Sequence, residues 1–401
     1  MPKRATKHGS ERIPLDCRCD ALICGASFAG LAAARELAGS GADVLVVDRY
    51  EIGERSTSAC GIPTDWLRAL GLIELELQRF DELVVHTSGR TTVLDLPYTF
   101  STFDYNEMCE LLWRDCDARF ETATVTGRRA AGDPAELAVE TDRGPVSAPL
   151  VVDAMGWRRI LATDDGFQPL DAPLTRALEV HPWGAGEDLE VWVDRRYVRA
   201  GYGWSFPAGE ELRVGVCSYD PRPPVREGTD LLGADLGHER VRYQGNWIPH
   251  ELRPAAEGGV FYAGDSAGQC LPLTAEGIRT ALYYGIAAGR ELRAVVEGRQ
   301  SREQALAAYD ELHDSHRGGF RVLLFFQRLI PKIPPRLLGP LFRIYKTQRL
   351  IDLTFNAYLR VAPPDFARDT SAHDQDGPGE QEDDAEEALG TERDLVQAEQ
   401  A

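Results

Sequence analysis

Lysine is nearly missing from this chain of 401 residues: it occurs only at positions 3, 7, 332 and 346, and arginine carries most of the positive charge. The bias is compatible with a GC-rich coding sequence and, together with the acidity, with a salty cytoplasm. No apolar run approaches the roughly 20 residues that a spanning helix needs. The eight cysteines include no CxxC pair, and the closest two, Cys17 and Cys19, read as structural. The opening stretch MPKRATKHGSER is polar and basic with no apolar core, so no signal peptide is read. The expectation is a cytoplasmic protein with reduced thiols and no metal site. A basic excess is also missing. Asp and Glu number 64 against 44 Lys and Arg, a net charge of −20, which argues against a nucleic-acid partner. Residues 365–401 hold thirteen acidic and two basic side chains, or −11 of that charge. With almost no large apolar residues, this tail cannot offset its chain entropy and is read as disordered.

What is present is long enough for two domains or one large interleaved one. Near the start, the apolar strand ALIC at 21–24 runs into Gly25-Ala-Ser27-Phe-Ala-Gly30 and a helix over 31–38. A second strand over 42–47 ends at Asp48. Strand, glycine turn, helix, strand and an acid about twenty positions after the glycines describe a βαβ dinucleotide fold, in which Asp48 can bind a ribose hydroxyl pair. Gly25 permits the turn, and Gly30 lets helix and strand pack closely. Ser27 replaces the middle glycine. Its Cβ crowds the pyrophosphate, while its hydroxyl offers a hydrogen bond.

Residues 259–292 read GVFYAGDSAGQCLPLTAEGIRTALYYGIAAGREL. A short apolar run ends in Gly264-Asp265, a small-residue loop follows, and a turn from Pro272 to Gly277 opens a helix. In this order the pieces resemble the second FAD fingerprint of the p-hydroxybenzoate hydroxylase-like flavoproteins, which include the geranylgeranyl reductases. The resemblance implies that Asp265 binds the flavin ribityl chain and that the helix points its positive end at the flavin ring. Unpaired N–H groups at a helix start can stabilise the negative charge of a reduced flavin. With the first half-site, the implied FAD contacts are Gly25, Ser27, Phe28, Ala29, Gly30, Asp48, Arg49, Cys60, Gly61, Val125, Gly264, Asp265, Pro272, Gly277 and Ile278.

Two further stretches resemble the geranylgeranyl reductase branch. Residues 201–216, GYGWSFPAGEELRVGV, are similar to its Tyr-x-Trp-x-Phe-Pro strand, with Ala208 where the family usually has Lys and Arg213 where it often has Asn. Tyr202, Trp204 and Phe206 alternate, so they share one strand face and suit the wall of a hydrocarbon site. Ser56-Thr-Ser-Ala-Cys60-Gly61 is similar to a loop whose Cys lies beside the flavin and is implicated in protonation. Saturating an alkene needs a hydride and a proton, and a thiol of ordinary pKa, about 8.5, can supply the proton. Residues 153–156, DAMG, resemble the family's middle fingerprint but place Met155 where the acid usually stands, which counts against direct nicotinamide binding. Tyr105 likewise replaces an Arg often offered to the cofactor. Halogenases share a similar aromatic strand but need a Lys beside the flavin, and none occurs between Lys7 and Lys332. The cysteine-rich iron–sulfur domain of the electron-transfer-flavoprotein dehydrogenases is missing too.

The half-sites lie over two hundred residues apart, so the chain must leave the dinucleotide fold and return. Alternating stretches at 83–100 and 167–225, with turn signals at 87–90 and 220–224, predict a mixed sheet roofing the flavin. Residues 106–114 read as helix and 146–155 as one apolar strand. The expected fold is α/β: a Rossmann-like FAD-binding domain (19–82, 103–165, 255–300) interleaved with a mixed-sheet substrate domain (83–102, 166–254). A polar N-terminal arm (1–18), a helical C-terminal lid (301–362) and the acidic tail (363–401) complete it. Residues 319–350 carry seven basic and no acidic side chains among many large apolar ones. Such a segment can lie on an anionic membrane, peripherally at the inner surface, or close a pocket over an amphiphilic substrate. The expected function is FAD-dependent reduction of isoprenoid double bonds, with electrons from a ferredoxin-like donor or NAD(P)H. Two alternatives stay open: an aromatic or polyketide monooxygenase, and a non-redox enzyme of lycopene-cyclase type.

Overall fold

The computed structural model describes residues 3–5, 13–56, 58–133, 135–162, 173–220, 222, 224–238 and 241–368. Seven strands form one sheet, in the order Lys3–Ala5, Arg119–Thr122, Val44–Asp48, Ala21–Cys24, Leu150–Asp153, Val260–Tyr262 and Ala256–Glu257. All neighbours are parallel except the last pair. The central strands ALIC, LVVD and VFY are buried throughout, as continuous apolar runs in a parallel sheet are. Their register sets Cys24, Asp153 and Tyr262 level, so three strands end together and open a crevice at their carboxyl ends.

Two helices pack along this sheet and against each other. The first, Phe28–Glu36, begins three residues before the expected start, because Gly25 at φ 112° completes the turn and Ser27 is already the N-cap. The second, Ile278–Val296, crosses it at Gly285 and Gly289. A Cβ at Gly285 would stand 2.4 Å from the Ala29 carbonyl oxygen, so no other residue permits this approach.

The strand expected over 146–155 is two strands in different sheets. Val146–Ala148 belongs to a four-stranded sheet with Cys17–Arg18, Leu137–Thr141 and Val125–Ala130, and Leu150–Asp153 joins the large one. Pro149 lies between them. It has no N–H for a ladder and marks the change of sheet.

The third sheet has nine strands. Eight run in the order Tyr243–Gln244, Leu174–Val180, Glu211–Ser218, Gly201–Ala208, Glu190–Val193, Gln78–Thr87, Arg90–Thr102 and Gly61–Pro63, and Trp247–Pro249 also pairs with Leu174–Val180. It is mixed, as expected, because Glu190–Val193 runs parallel to Gln78–Thr87. Alternation gives it two unlike faces. Val180, Leu212, Val214 and Val216 pack with Trp192 and Leu232 beneath the helix Arg226–Asp235. On the other face Trp204, Gly215 and Glu179 stand in one cross-strand row.

The C-terminal helices are Arg302–Ser315, Arg317–Leu329, Pro335–Tyr345 and Gln348–Leu359. Ordered structure runs past residue 363: Pro364–Ala367 forms a short turn, and the Phe366 ring lies 4.2 Å from that of Tyr283. The expected disordered tail otherwise lies outside the described residues. No helix among the described residues is long and apolar enough to cross a membrane.

Candidate cofactor and substrate site

The first half-site is built around the turn at Gly25. A Cβ there would come within 2.3 Å of the Ala154 carbonyl oxygen, so glycine is required for the turn to nest against the middle fingerprint. Asp48 accepts N–H groups from Ala26 at 2.8 Å and Tyr50 at 3.0 Å, and burial raises its carboxyl above the ordinary range. It therefore shapes the loop and keeps spare lone pairs for ligand hydroxyls. Ser27 caps nothing with its side chain. Its hydroxyl lies 2.9 Å from the Tyr105 hydroxyl, leaving the first-turn N–H groups of Phe28–Glu36 facing the crevice. The Phe28 ring packs edge-on against Tyr105 and Phe103. Arg49 is exposed over the Tyr50 ring, and Val125 is buried at the start of its strand in the small sheet.

The second half-site arrives beside it. An added Cβ at Gly264 would lie 3.3 Å from Ala29 Cβ, so the two fingerprints touch. Gly264 N–H donates to Gln269 Oε1 at 2.7 Å, and the Gln269 amide meets His313 Nδ1 at 3.0 Å behind it. Burial pushes the Asp265 carboxyl up to about 6, with Arg253 opposing the shift. Asp153, in contrast, turns away from the crevice. It accepts from the Met155 and Leu161 N–H groups and from Ser266 Oγ, so it builds the loop behind Asp265.

The turn from Pro272 to Gly277 is closed by Leu271 N–H on the Glu276 carbonyl at 2.9 Å. Leu273 and Ala275 sit at φ 73° and 51°, a left-handed conformation that costs non-glycine residues energy. Four side chains hold them there. Tyr202 donates to the Thr274 carbonyl and Tyr219 to that of Leu273. Gln327 Oε1 accepts Leu273 N–H at 2.7 Å, and the Tyr358 hydroxyl meets Thr274 Oγ1 at 2.7 Å. The helix that follows has no side-chain cap at Gly277, whereas Ser301 and Gln304 form a full capping box on the next helix. Behind this turn, the fully buried Arg279 pairs with Glu276 at 2.7 Å and donates to the Leu359 and Ala362 carbonyls, fastening the last helix.

The aromatic row lies between this turn and the cysteine loop. The Tyr202, Trp204 and Phe206 rings are spaced 5.9 and 6.5 Å apart. Tyr202 reaches Thr274 at one end. At the other, Phe206 packs on Phe100, whose ring would stand 2.3 Å from a Cβ at Gly61. Cys60 is buried at φ 49°. Its thiol donates to the Ser58 carbonyl at 3.2 Å, and burial pushes it up to about 12 against the pull of Arg213, so it holds its proton at neutral pH. Arg213 Nη1 donates to the Ala59, Cys60 and Phe103 carbonyls at 2.9, 3.3 and 2.8 Å. The departure at 213 thus clamps the cysteine loop.

The tertiary structure joins Gly25–Gly30 to Gly264 through Ala29, Asp265 to Gly277, and the aromatic row to both the turn at Thr274 and the Cys60–Gly61 loop; Arg49 and Val125 are not joined to them by any of these contacts. The sequence reading missed Gly285, Gly289, Arg279, Gln269 and Glu179. Only the Gly-x-x-x-Gly spacing at 285–289 was a visible signal. The donor set suits a flavin dinucleotide: helix starts at Ser27 and Gly277 without side-chain caps, a glycine turn no side chain can fill, and Asp265, whose carboxylate takes part in no side-chain hydrogen bond among the described residues. Asp265 and Asp48 would hold hydroxyls, and Gly25–Gly30 the pyrophosphate.

No protein-family model matches the chain. The digeranylgeranylglycerophospholipid reductase 3 of Methanosphaera stadtmanae is 24% identical over 350 residues, spanning 75% of this chain and 83% of that protein. The menaquinone reductase of Mycobacterium tuberculosis is 27% identical over 369 residues, spanning 80% and 88%. Among solved structures, a geranylgeranyl bacteriochlorophyll reductase-like protein of Thermoplasma acidophilum covers 88% of this chain and 99% of its own. Its TM-score is 0.74 at 17% identity, which establishes a shared fold.

Proposed function

We propose that this chain, an FAD-dependent oxidoreductase of geranylgeranyl reductase type, saturates carbon–carbon double bonds of an isoprenoid chain carried on a polar head. The observation that carries the proposal is the aromatic row, tied through Tyr202 to the turn at Thr274 and through Phe206, Phe100 and Arg213 to the loop of Cys60. A flat apolar substrate lying along the row would pass between the two loops that border the cofactor. The names of the relatives, a prenylated glycerophospholipid reductase and a menaquinone reductase, support a prenyl substrate.

FAD, when bound and reduced, supplies the hydride. The protein's part is to exclude water, orient the chain and deliver a proton. Trp204 and Cys60 are buried, which keeps water from the reacting groups. The Cys60 thiol, protonated at neutral pH, is assigned as the proton source for the second carbon. Its left-handed backbone, held by Arg213 on three carbonyls, fixes where that proton sits. Met155 offers no acid to a nicotinamide, and Asp153 is committed to Ser266, so a ferredoxin-like donor is favoured over NADPH.

The C-terminal helices fit a membrane-borne substrate. Phe325, Ile344 and Leu353 are 60, 64 and 67% exposed, beside the exposed Arg321, Arg336, Arg343 and Lys346. Apolar side chains flanked by cations suit an anionic lipid surface. The buried Gln327 on the same segment pins the Leu273 turn, so this layer also covers the site.

The test is mass spectrometry of products. Reduced enzyme given a digeranylgeranyl glycerophospholipid or a menaquinone should add two hydrogens per saturated bond. No gain in mass with either overturns the reading. Fast flavin reduction by NADPH, stimulated by an aromatic compound, would point to a monooxygenase.

A further inference from the structure

Saturating a double bond consumes one proton for each hydride, and Cys60 is only 1% exposed, so its proton must be replaced from solvent by some route. The site-facing side of the nine-stranded sheet carries buried polar atoms that nothing so far described uses. Glu179 is 3% exposed, and neither of its carboxylate oxygens has a hydrogen-bond partner. Trp204 Nε1 and Arg213 Nε are also buried and unpartnered. The three residues cluster around Gly215. Trp204 and Glu179 flank it in one cross-strand row, and the Trp204 ring would lie 2.3 Å from a Cβ at Gly215. Arg213 is the next residue on that face.

A buried polar group that stays dry and unpaired is destabilising. The set is complementary to one water molecule. The N–H groups can donate to its oxygen and a Glu179 oxygen can accept one of its protons, which leaves its second proton for a further acceptor. Outward from Glu179, His181 Nε2 lies 3.1 Å from Oε1, off the hydrogen-bonding direction. The imidazole is partly open to solvent. It lies 2.8 Å from the Gln244 amide and 3.8 Å from the more exposed Glu211.

We propose that Glu179 and His181 form a proton entry route that ends, through one bound water beside Trp204 and Arg213, at the Cys60 side of the substrate site. The route rests on the double-bond reduction proposed above. Solvent protonates His181, and His181 passes the proton to Glu179. The protonated acid then donates to the water in place of one N–H group as the water gives its second proton to the Cys60 sulfur, after the thiol has given its own to carbon. The substrate gains the hydride and that proton, and each relay group ends as it began. The charged and titratable groups facing the route are Glu211 and Arg213 on the neighbouring strand, Glu179 and His181 themselves, Cys60 on its loop, and Asp104, Tyr105 and Cys109 at the helix beside it. Gln244 is neutral.

Two measurements test it. A crystal structure that orders waters should show one bonded to Trp204 Nε1, Arg213 Nε and Glu179. Direct pairing of these groups, or a dry gap between them, overturns the route whatever the substrate is. In turnover, Glu179→Gln and His181→Gln should keep stoichiometric FAD and the wild-type rate of dithionite reduction. Each should slow steady-state reduction of the prenyl substrate by about 100-fold. Each should also enlarge the solvent deuterium isotope effect and change the pH–rate profile, which a merely structural loss would not do. Unchanged profiles and isotope effects in both variants overturn the relay. A wild type that reduces no prenyl lipid, yet shows the bridging water, overturns the substrate reading and with it the relay's acceptor, whereas a dry gap in an enzyme that does reduce one overturns the relay alone.

Discussion

The two faces of the nine-stranded sheet are made by the same strands and differ in what they leave unfinished. Beneath the helix Arg226–Asp235, Val180, Leu212, Val214, Val216 and Leu232 close on one another. On the opposite face lie Glu179 and Arg213, next in sequence to these positions, and Trp204, across the ladder from Gly215, each buried with an unpaired polar atom. A face whose only task is stability satisfies or omits its polar groups. The second face does neither, which is what the proposed ligand and proton route would require. Of the five non-glycine residues with left-handed φ among the described residues, Cys60, Leu273 and Ala275 border that side, and Asp16 and Arg159 lie elsewhere.

Cys60→Ala should break the contrast most. Turnover should fall roughly 10²–10⁴-fold while the yellow colour and melting temperature hold. Wild-type speed in this variant would remove the thiol from the mechanism. Leu232→Ala, on the closed face, should do the reverse. It should cost about 2–5 kcal/mol of unfolding free energy in denaturant titrations and leave the rate per folded molecule unchanged.

Asp265→Asn should sharpen the comparison through pH. The folded carboxyl is raised to about 6 from an ordinary 3.8, so the cofactor-free protein holds this proton more tightly than the unfolded chain does. That stabilisation is full below 3.8 and is lost as pH rises through about 6. Without cofactor, the Asn variant should therefore melt above wild type at neutral pH, the two converging in acid. FAD affinity should move the other way, weaker by about 10- to 100-fold in fluorescence titration, as loss of a buried charged partner predicts. A variant that melts below wild type at pH 7 would contradict this account of the charge.

The smallest effect belongs to the outer helices. Arg343→Glu should weaken binding to anionic vesicles by roughly fivefold or somewhat more, at about 1 kcal/mol per cation lost, and high salt should erase the difference. Equal binding to neutral and anionic vesicles would leave these helices as a cover alone.

The cofactor crevice was legible because it is written in local chemistry. A turn that only Gly25 can make, an acid at the end of the second strand and a proline-to-glycine turn before a helix are short-range patterns. The adjacent Asp153 and Met155 were visible as a departure, but which way Asp153 faces was not. The apolar run over 146–155 concealed a change of sheet at Pro149, because period and hydrophobicity do not say which sheet a strand joins. Arg213 was noticed only as an unusual residue, and Glu179 not at all.

Local sequence was enough for the βαβ turn at Gly25, the turn from Pro272 to Gly277 and the shared face of Tyr202, Trp204 and Phe206, since each depends on backbone freedom or periodicity within a few residues. The tertiary structure alone decided that Ala29 meets Gly264, that Arg213 holds the Cys60 loop and that Glu179 shares a row with Trp204. Those contacts join residues tens to hundreds of positions apart. They follow from strand order and register, which set the distances between side chains and appear in no local pattern.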